Sequence, residues 1–319
     1  LHLLHGHSFW ARRLLLPAVL RGVAAGCAVL AGVVSQSGEA AIIGENNLLD
    51  WHEEADVGLR DASRATAVLL KKSRNWLHQN GDRWAFAAGV PSFAQSDELC
   101  MGEPFREQPT PGECSGFLIA PDAIATANHC VEPMGGCANI TVAFDFRTTG
   151  PGQTMFDFGP DSVFQCIAVV ASNEFEDWAV LKLDRVAVGR EPLRMNPVID
   201  ARGVVGAPAA VWGYPRGLPL KIAGGAVVRE PSGLIGADMA DDYYEADLDV
   251  FGGTSGAPVI NPSTGEVEGI LTTGFGEFED PELDPVTGKE CYRLRRMPTL
   301  DDAALPWITR ARGIFKPLR

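Results

Sequence analysis

Gly252-Gly253-Thr254-Ser255-Gly256-Ala257-Pro258 lies between an apolar-polar run, Tyr243 to Val250, and the apolar pair Val259-Ile260. Glycines on both sides of the serine permit a tight turn in which φ goes positive. Such a turn lifts a hydroxyl clear of a sheet and gathers backbone N–H groups into one small space. Acyl transfer requires both, a nucleophile and donors for the oxyanion that its attack creates. A Gly-Ser loop without chemistry has the same composition. The decision therefore rests on whether the chain supplies a base, and an acid to orient that base.

Outward from this loop, the histidines narrow the search. Of six, His2, His5 and His7 fall in the first residues, and His52 and His78 stand in polar, turn-like surroundings that read as surface. His129 stands in Ala125-Thr126-Ala127-Asn128-His129-Cys130, after an apolar strand and against a cysteine. A neutral imidazole near its ordinary pKa can take a serine proton at neutral pH. For the acid, Asp145, Asp157, Asp161, Asp177 and Asp184 lie between His129 and Ser255. Asp177 opens an apolar strand, where a carboxylate is costly to bury without a partner. Asp184 closes the same strand before Arg185 and reads as a solvated end.

The surrounding pattern is β-rich. Residues 64–70, 117–119, 123–127, 139–146, 163–170, 177–183, 209–214, 220–230, 243–249 and 266–273 are short alternating or apolar runs between Gly- and Pro-containing turns. Many such strands argue an all-β sandwich or barrel. Residues 42–47 read as an extended N-terminal arm, and 187–205 as the crossing between two halves. Residues 301–312 are predicted to form a helix, with Thr299 as its cap.

Hydrophobic residues make up 46% of the chain, enough for a sizeable core. The net charge of −14 makes nucleic acid and anionic membrane poor partners. Arg12, Arg13 and Arg21 precede an apolar run from Gly22 to Val34 and then small residues, a pattern that reads as an export signal over residues 1–37. Cleavage after Ser37 or Ala40 fits it, and a lipid-modified Cys27 is the other reading. The run is short for a membrane span, so the protein released from the leader is expected to be secreted or periplasmic. Setting Cys27 aside leaves six cysteines, an even number that an exported chain can oxidise. Sequence alone leaves every pairing of them open. No C-x-x-C pair occurs, so no metal site is expected.

Taken together, Cys114-Ser115-Gly116-Phe117-Leu118-Ile119-Ala120, Thr126-Ala127-Asn128-His129-Cys130, Asp177-Trp178-Ala179-Val180-Leu181-Lys182-Leu183 and Gly253-Thr254-Ser255-Gly256-Ala257-Pro258 resemble the trypsin/chymotrypsin-like serine proteases, closest to the secreted bacterial branch that includes the glutamyl endopeptidases. The resemblance spans residues 41–298. It implies two Greek-key antiparallel β-barrels with a C-terminal helix. The first, over residues 41–190, would carry His129 and Asp177. The second, over 191–319, would carry Ser255. It also implies a serine endopeptidase in which Ser255 attacks a peptide carbonyl, His129 moves the proton, Asp177 holds the tautomer, and the N–H groups of Gly253 and Ser255 receive the oxyanion. No cofactor is implied, the partner is a protein or peptide substrate, and a monomer is expected. The resemblance favours a Cys114–Cys130 disulfide. Proximity suggests Cys137–Cys166, which leaves Cys100–Cys291.

For the substrate pocket, Asp249 stands in the slot that floors the primary pocket of trypsin-like relatives and pairs Arg or Lys there. The bacterial branch also carries Asp in this segment without that preference. Thr272, Thr273 and Gly274 should line the opposite wall. Three departures stand out. Thr254 replaces an Asp that in pancreatic-type relatives pairs with a freed N-terminus. Asn128 replaces a small residue before the histidine. Leu271 replaces a substrate-reading His of the glutamyl endopeptidases. An α/β-hydrolase is excluded by order, because no His follows Ser255. A binding protein on a catalytically impaired protease scaffold is the remaining alternative.

Overall fold

The computed structural model describes residues 38–39, 42–196, 205–229, 242–273, 277–300, 303–311 and 314. The expected export signal lies outside them. Among them, no helix is long and apolar enough to cross a membrane.

The barrel strands, in chain order, are β1 Leu48–Asp50, β2 Thr66–Lys71, β3 Cys114–Ala120, β4 Ala123–Thr126, β5 Ile140–Phe144, β6 Val163–Asn173 and β7 Trp178–Leu183. They continue with β8 Pro208–Gly213, β9 Lys221–Arg229, β10 Tyr243–Ala246, β11 Pro258–Asn261, β12 Glu266–Thr273 and β13 Trp307–Thr309. The first barrel closes in the order β6-β7-β4-β3-β2-β5. The second runs β8-β11-β12-β13-β10-β9, closes through β8 against β9, and carries β1 as an extra strand on β9. In each barrel three consecutive strands pair in order and the fourth returns beside the first, which is a Greek key. Both barrels are antiparallel throughout, so the two Greek-key barrels expected from the sequence are present.

The short apolar runs form these strands because closure buries them. Every residue of β4 and β5 is buried, as the core of a small closed barrel requires. Phe144 meets Phe164 edge to face inside the first barrel, with ring centroids 5.6 Å apart. Between the barrels, Tyr214 stacks on Phe146 and donates its hydroxyl to the carbonyl of Thr66 (3.1 Å). The groove beside this seam is where the site forms.

The C-terminal helix expected over residues 301–312 is not what the described part of that segment forms. Trp307–Thr309 is β13, paired with both β10 and β12, while residues 301, 302 and 312 lie outside the described set. Pro306 explains the difference. It has no N–H to donate, and its ring clashes with the preceding helical turn. Ile308 and Thr309 then fill the gap between two strands, both fully buried.

Leu48–Asp50 also departs from the expected division at residue 190, since β1 pairs with β9 of the second barrel. The ammonium of Lys221, itself buried, donates to the Asp50 carboxylate and to Gln108 Oε1. Burial lowers its pKa to about 8 against the pull of Asp50. The N-terminal arm is thus fastened to the second barrel by a buried charge pair, while β2 onward builds the first. Disulfides Cys100–Cys291, Cys114–Cys130 and Cys137–Cys166 are all formed.

Candidate active site

His129 sits in a short 3-10 turn, Asn128–Cys130, that follows directly on β4. The Cys114–Cys130 disulfide ties this turn to the start of β3. His129, Cys114 and Cys130 lie close enough together to suggest a metal cluster, but both sulfurs are spent on each other. The Asn128 side chain makes no hydrogen bond among the described residues.

Asp177 is placed by the turn between β6 and β7. Asn173 Oδ1 accepts from the N–H groups of Phe175 (3.0 Å) and Glu176 (3.1 Å). The Glu176 carboxylate accepts from Asn173 Nδ2 (2.7 Å) and from the Trp178 indole (3.1 Å). Across the seam, Tyr243 of β10 donates its hydroxyl to the carbonyl of Phe175 (2.8 Å). Burial, and next the Asp177 charge, push the Tyr243 phenol upward, so it stays protonated as the donor. Asp177 itself has φ +50°, a left-handed conformation that a non-glycine residue adopts at a cost and that its surroundings must enforce.

That strained turn delivers both carboxylate oxygens to one histidine. Asp177 Oδ1 accepts from the His129 backbone N–H (2.8 Å), and Oδ2 lies 2.7 Å from Nδ1. A carboxylate can only accept, so Nδ1 carries the proton and Nε2 keeps its lone pair. The imidazole side chain is 47% exposed, so this basic nitrogen has access to the groove.

Ser255 comes from the second barrel on the loop between β10 and β11. Its carbonyl accepts from the N–H of Ser115 (2.8 Å) on β3, and Cys130 Sγ, next to the histidine, lies 3.7 Å from the same oxygen. Gly256, at φ +86°, packs so tightly that any Cβ would collide with the Ser115 carbonyl and the Thr126 hydroxyl. Only glycine lets the nucleophile's loop seat against the histidine-bearing turn. The Ser255 hydroxyl donates to the carbonyl of Thr272 (3.1 Å), leaving rotation about χ1 as the local motion that turns it toward His129.

The backbone around Ser255 is satisfied with two exceptions. Gly252 donates to the Glu277 carboxylate, Thr254 to the carbonyl of Phe251, and Gly256 to that of Leu271. The Gly252, Gly253, Thr254 and Ser255 carbonyls accept from Arg216 N, Ser115 Oγ, Ala257 N and Ser115 N. The N–H groups of Gly253 and Ser255 alone in this stretch have no partner among the described residues. Two unpartnered donors, one on the serine and one two residues before it, are what an anion-receiving site would need. Ser115, which the sequence analysis quoted but assigned no role, is central here. Its buried hydroxyl donates to Gly253 O (2.8 Å) and accepts from Tyr214 N (3.0 Å).

The pocket assignments fare differently. Asp249 does not floor a pocket open to substrate. Its carboxylate, 2% exposed, accepts from the backbone N–H groups of Ile43 (2.8 Å) and Asn47 (2.7 Å), so the N-terminal arm occupies it. The Thr272 hydroxyl is buried and donates to Trp307 O (3.1 Å), and only its carbonyl faces Ser255. Thr273 continues β12, paired with Trp307, and Gly274 lies outside the described residues. Against the loop that carries Ser255, a cavity of about 480 Å³ is lined by Arg74, Trp76, Asp97, Glu113, Arg216 and Gly253, among others.

Burial pushes the Asp249 carboxyl up to about 6, against the two N–H bonds that favour its charge. The folded chain therefore holds this proton more tightly than the unfolded chain. The stability this contributes is complete below the unfolded value near 4 and is lost as pH rises through about 6. Stability of the wild type minus that of Asp249→Asn should fall by about 2 kcal/mol between pH 4 and pH 7. A flat difference in denaturant titrations across that window would remove the assignment.

With this geometry in hand, comparison with known proteins gives one family match. The model of the trypsin-like peptidase domain matches residues 114–270, a span that includes His129, Asp177 and Ser255. No curated protein matches the chain. Similar solved structures include the Rv3671c protease in its inactive form, at 19% identity over 79% of this chain and 86% of that one, TM-score 0.42. A serine-to-alanine mutant of Rv3671c from M. tuberculosis H37Rv, also inactive, is 18% identical over 81% and 86%, TM-score 0.43. The active form of the M. tuberculosis Rv3671c protease is 25% identical over 57% and 68%, TM-score 0.36. Over residues 114–270, then, the chain resembles a trypsin-like peptidase domain.

Proposed function

We propose that the protein is an exported serine endopeptidase, and that Ser255, His129 and Asp177 are its catalytic residues. The observation that carries this reading is the Asp177 carboxylate spanning the backbone N–H and Nδ1 of His129, next to a serine flanked by two unpartnered N–H groups. In the proposed reaction, Ser255 Oγ attacks the peptide carbonyl while His129 Nε2 takes its proton. The oxyanion is received by Gly253 and Ser255 N–H, and the imidazolium, stabilised by Asp177, then protonates the leaving amine. A water activated by the same imidazole releases the acyl group and restores Ser255.

Three disulfides support an oxidising compartment, in line with an exported protein that acts on protein or peptide substrates as a monomer. Within the family, the likeness to the glutamyl endopeptidase branch is kept as a likeness of motifs only. Leu271 is fully buried and offers no group to read a glutamate. The buried Asp249 argues likewise against selection for Arg or Lys.

A binding protein on a protease scaffold is the second reading, favoured by the Ser255 hydroxyl facing Thr272 O rather than the imidazole. Labelling with a fluorophosphonate, followed by mass spectrometry of the modified peptide, separates the two. Stoichiometric modification at Ser255 is expected. Absence of labelling in folded protein would leave only the scaffold reading.

A further inference from the structure

Two N–H groups receive an oxyanion only if their peptide planes are fixed before the reaction. Thr254 gives the loop no charge with which to do this, and its buried hydroxyl has no hydrogen-bond partner. The fixing comes from another direction. The Gly252 carbonyl accepts from the backbone N–H of Arg216 (2.6 Å). That carbonyl shares a planar trans peptide with the N–H of Gly253, so holding the oxygen on one side points the N–H to the other. One residue earlier, the Gly252 N–H donates to the Glu277 carboxylate. The second Glu277 oxygen accepts from Arg216 Nη1 (2.9 Å). Arg216 and Glu277 thereby grip Gly252 from both ends and also grip each other.

The grip is braced from outside the barrels. The other Arg216 terminal nitrogen pairs with Asp97, whose side chain is 5% exposed. Asp97 and Glu277 lie in two excursions that the Cys100–Cys291 disulfide ties together. Arg216 belongs to the turn Pro215–Gly217 just after β8 and adopts φ +53°. Gly252 leaves room for this approach, since a Cβ there would come 2.6 Å from Glu277 Oε1 and push the carboxylate aside. Charged hydrogen bonds in a half-buried network hold geometry better than neutral ones exposed to water.

We propose that Glu277 and Arg216, braced by Asp97, are positioning residues that hold the Gly253 N–H in its oxyanion-receiving orientation. This makes the site's readiness independent of any charge on Thr254 and dependent on the two excursions. The inference rests on the peptidase reading above.

The test compares wild type with Glu277→Ala, and with Glu282→Gln as a control whose exposed carboxylate pairs with Arg293. Wild type must first hydrolyse peptide substrate. If it does not, the peptidase reading fails, independently of the clamp. Given activity, Glu277→Ala should lower kcat by about 10- to 100-fold, with KM changed less than about 3-fold. Affinity for a peptide boronic acid, which forms a tetrahedral adduct with the serine, should fall in parallel with kcat, while Glu282→Gln matches wild type in both. A purely structural role would lower the melting temperature without weakening the boronic acid selectively. An unchanged kcat, or a loss confined to KM, overturns the proposal. If Glu277→Ala does not fold, Glu277→Gln decides with the same readouts, because it keeps volume and an acceptor for Gly252 but loses the charge that Arg216 needs.

Discussion

Replacing Ser255 with alanine is expected to lower kcat for peptide hydrolysis by about a million-fold, roughly 8 kcal/mol of transition-state stabilisation, in a protein that still folds. The effect is large because in the proposed reaction the hydroxyl forms the new bond, and the other hydroxyl of the loop, on Thr254, is buried. Folding survives because the loop is held by its backbone. Ser115 N donates to the residue-255 carbonyl whatever the side chain, and the lost bond to Thr272 O is a single half-buried hydrogen bond worth about 1 kcal/mol. Steady-state rates on a fluorogenic peptide, with melting curves for both proteins, provide the check. Activity within a few-fold of wild type would rule out Ser255 as the nucleophile.

The second large effect is expected at the acid. Asp177→Asn should reduce kcat by about ten-thousand-fold. The two side chains have the same shape, and Asn tolerates the left-handed backbone found at this position, so the turn is kept. The Asn oxygen can still accept from the His129 backbone N–H. What changes is the second contact. An amide NH2 now faces Nδ1, which must become the acceptor, and the proton moves to Nε2, where it blocks uptake from Ser255. The variant should therefore melt close to wild type yet lose nearly all turnover. A modest loss, below about 10-fold, would mean that the carboxylate does not set the tautomer.

Much of the site is legible in the sequence because chemistry restricts residue type. Outside the expected leader only one histidine stands clear of polar surroundings, and Asp177 opens an apolar strand where an unpartnered carboxylate is costly. The oxyanion donors are harder to see, since every residue has an N–H. What distinguishes Gly253 and Ser255 is that Ser115, Arg216 and Glu277 occupy the neighbouring groups. Those partners lie far along the chain, and no local pattern announces them. Asp249 shows the opposite failure. Its spacing from Ser255 suits a pocket floor, but the path of residues 42–47 covers it, and that path is a tertiary outcome. Pro306 was a visible signal. The helix expected over residues 301–312 has to run through it, whereas in the fold the missing N–H and two neighbouring strands needing a partner decide for β13.

Strand β13 sets the point in synthesis at which the second barrel can close. Trp307–Thr309 fills the slot between β10, which leads toward Ser255, and β12, whose Thr272 carbonyl meets the Ser255 hydroxyl, and its Trp307 carbonyl receives the Thr272 hydroxyl. During synthesis Ser255 emerges about fifty residues before the segment that seals its barrel, and domains fold as units once their last element is available. A nascent or truncated chain thus holds His129, Asp177 and Ser255 without the closed wall against which Ser255 rests. Under the proposed function, turnover would have to wait until residues 307–309 are in place.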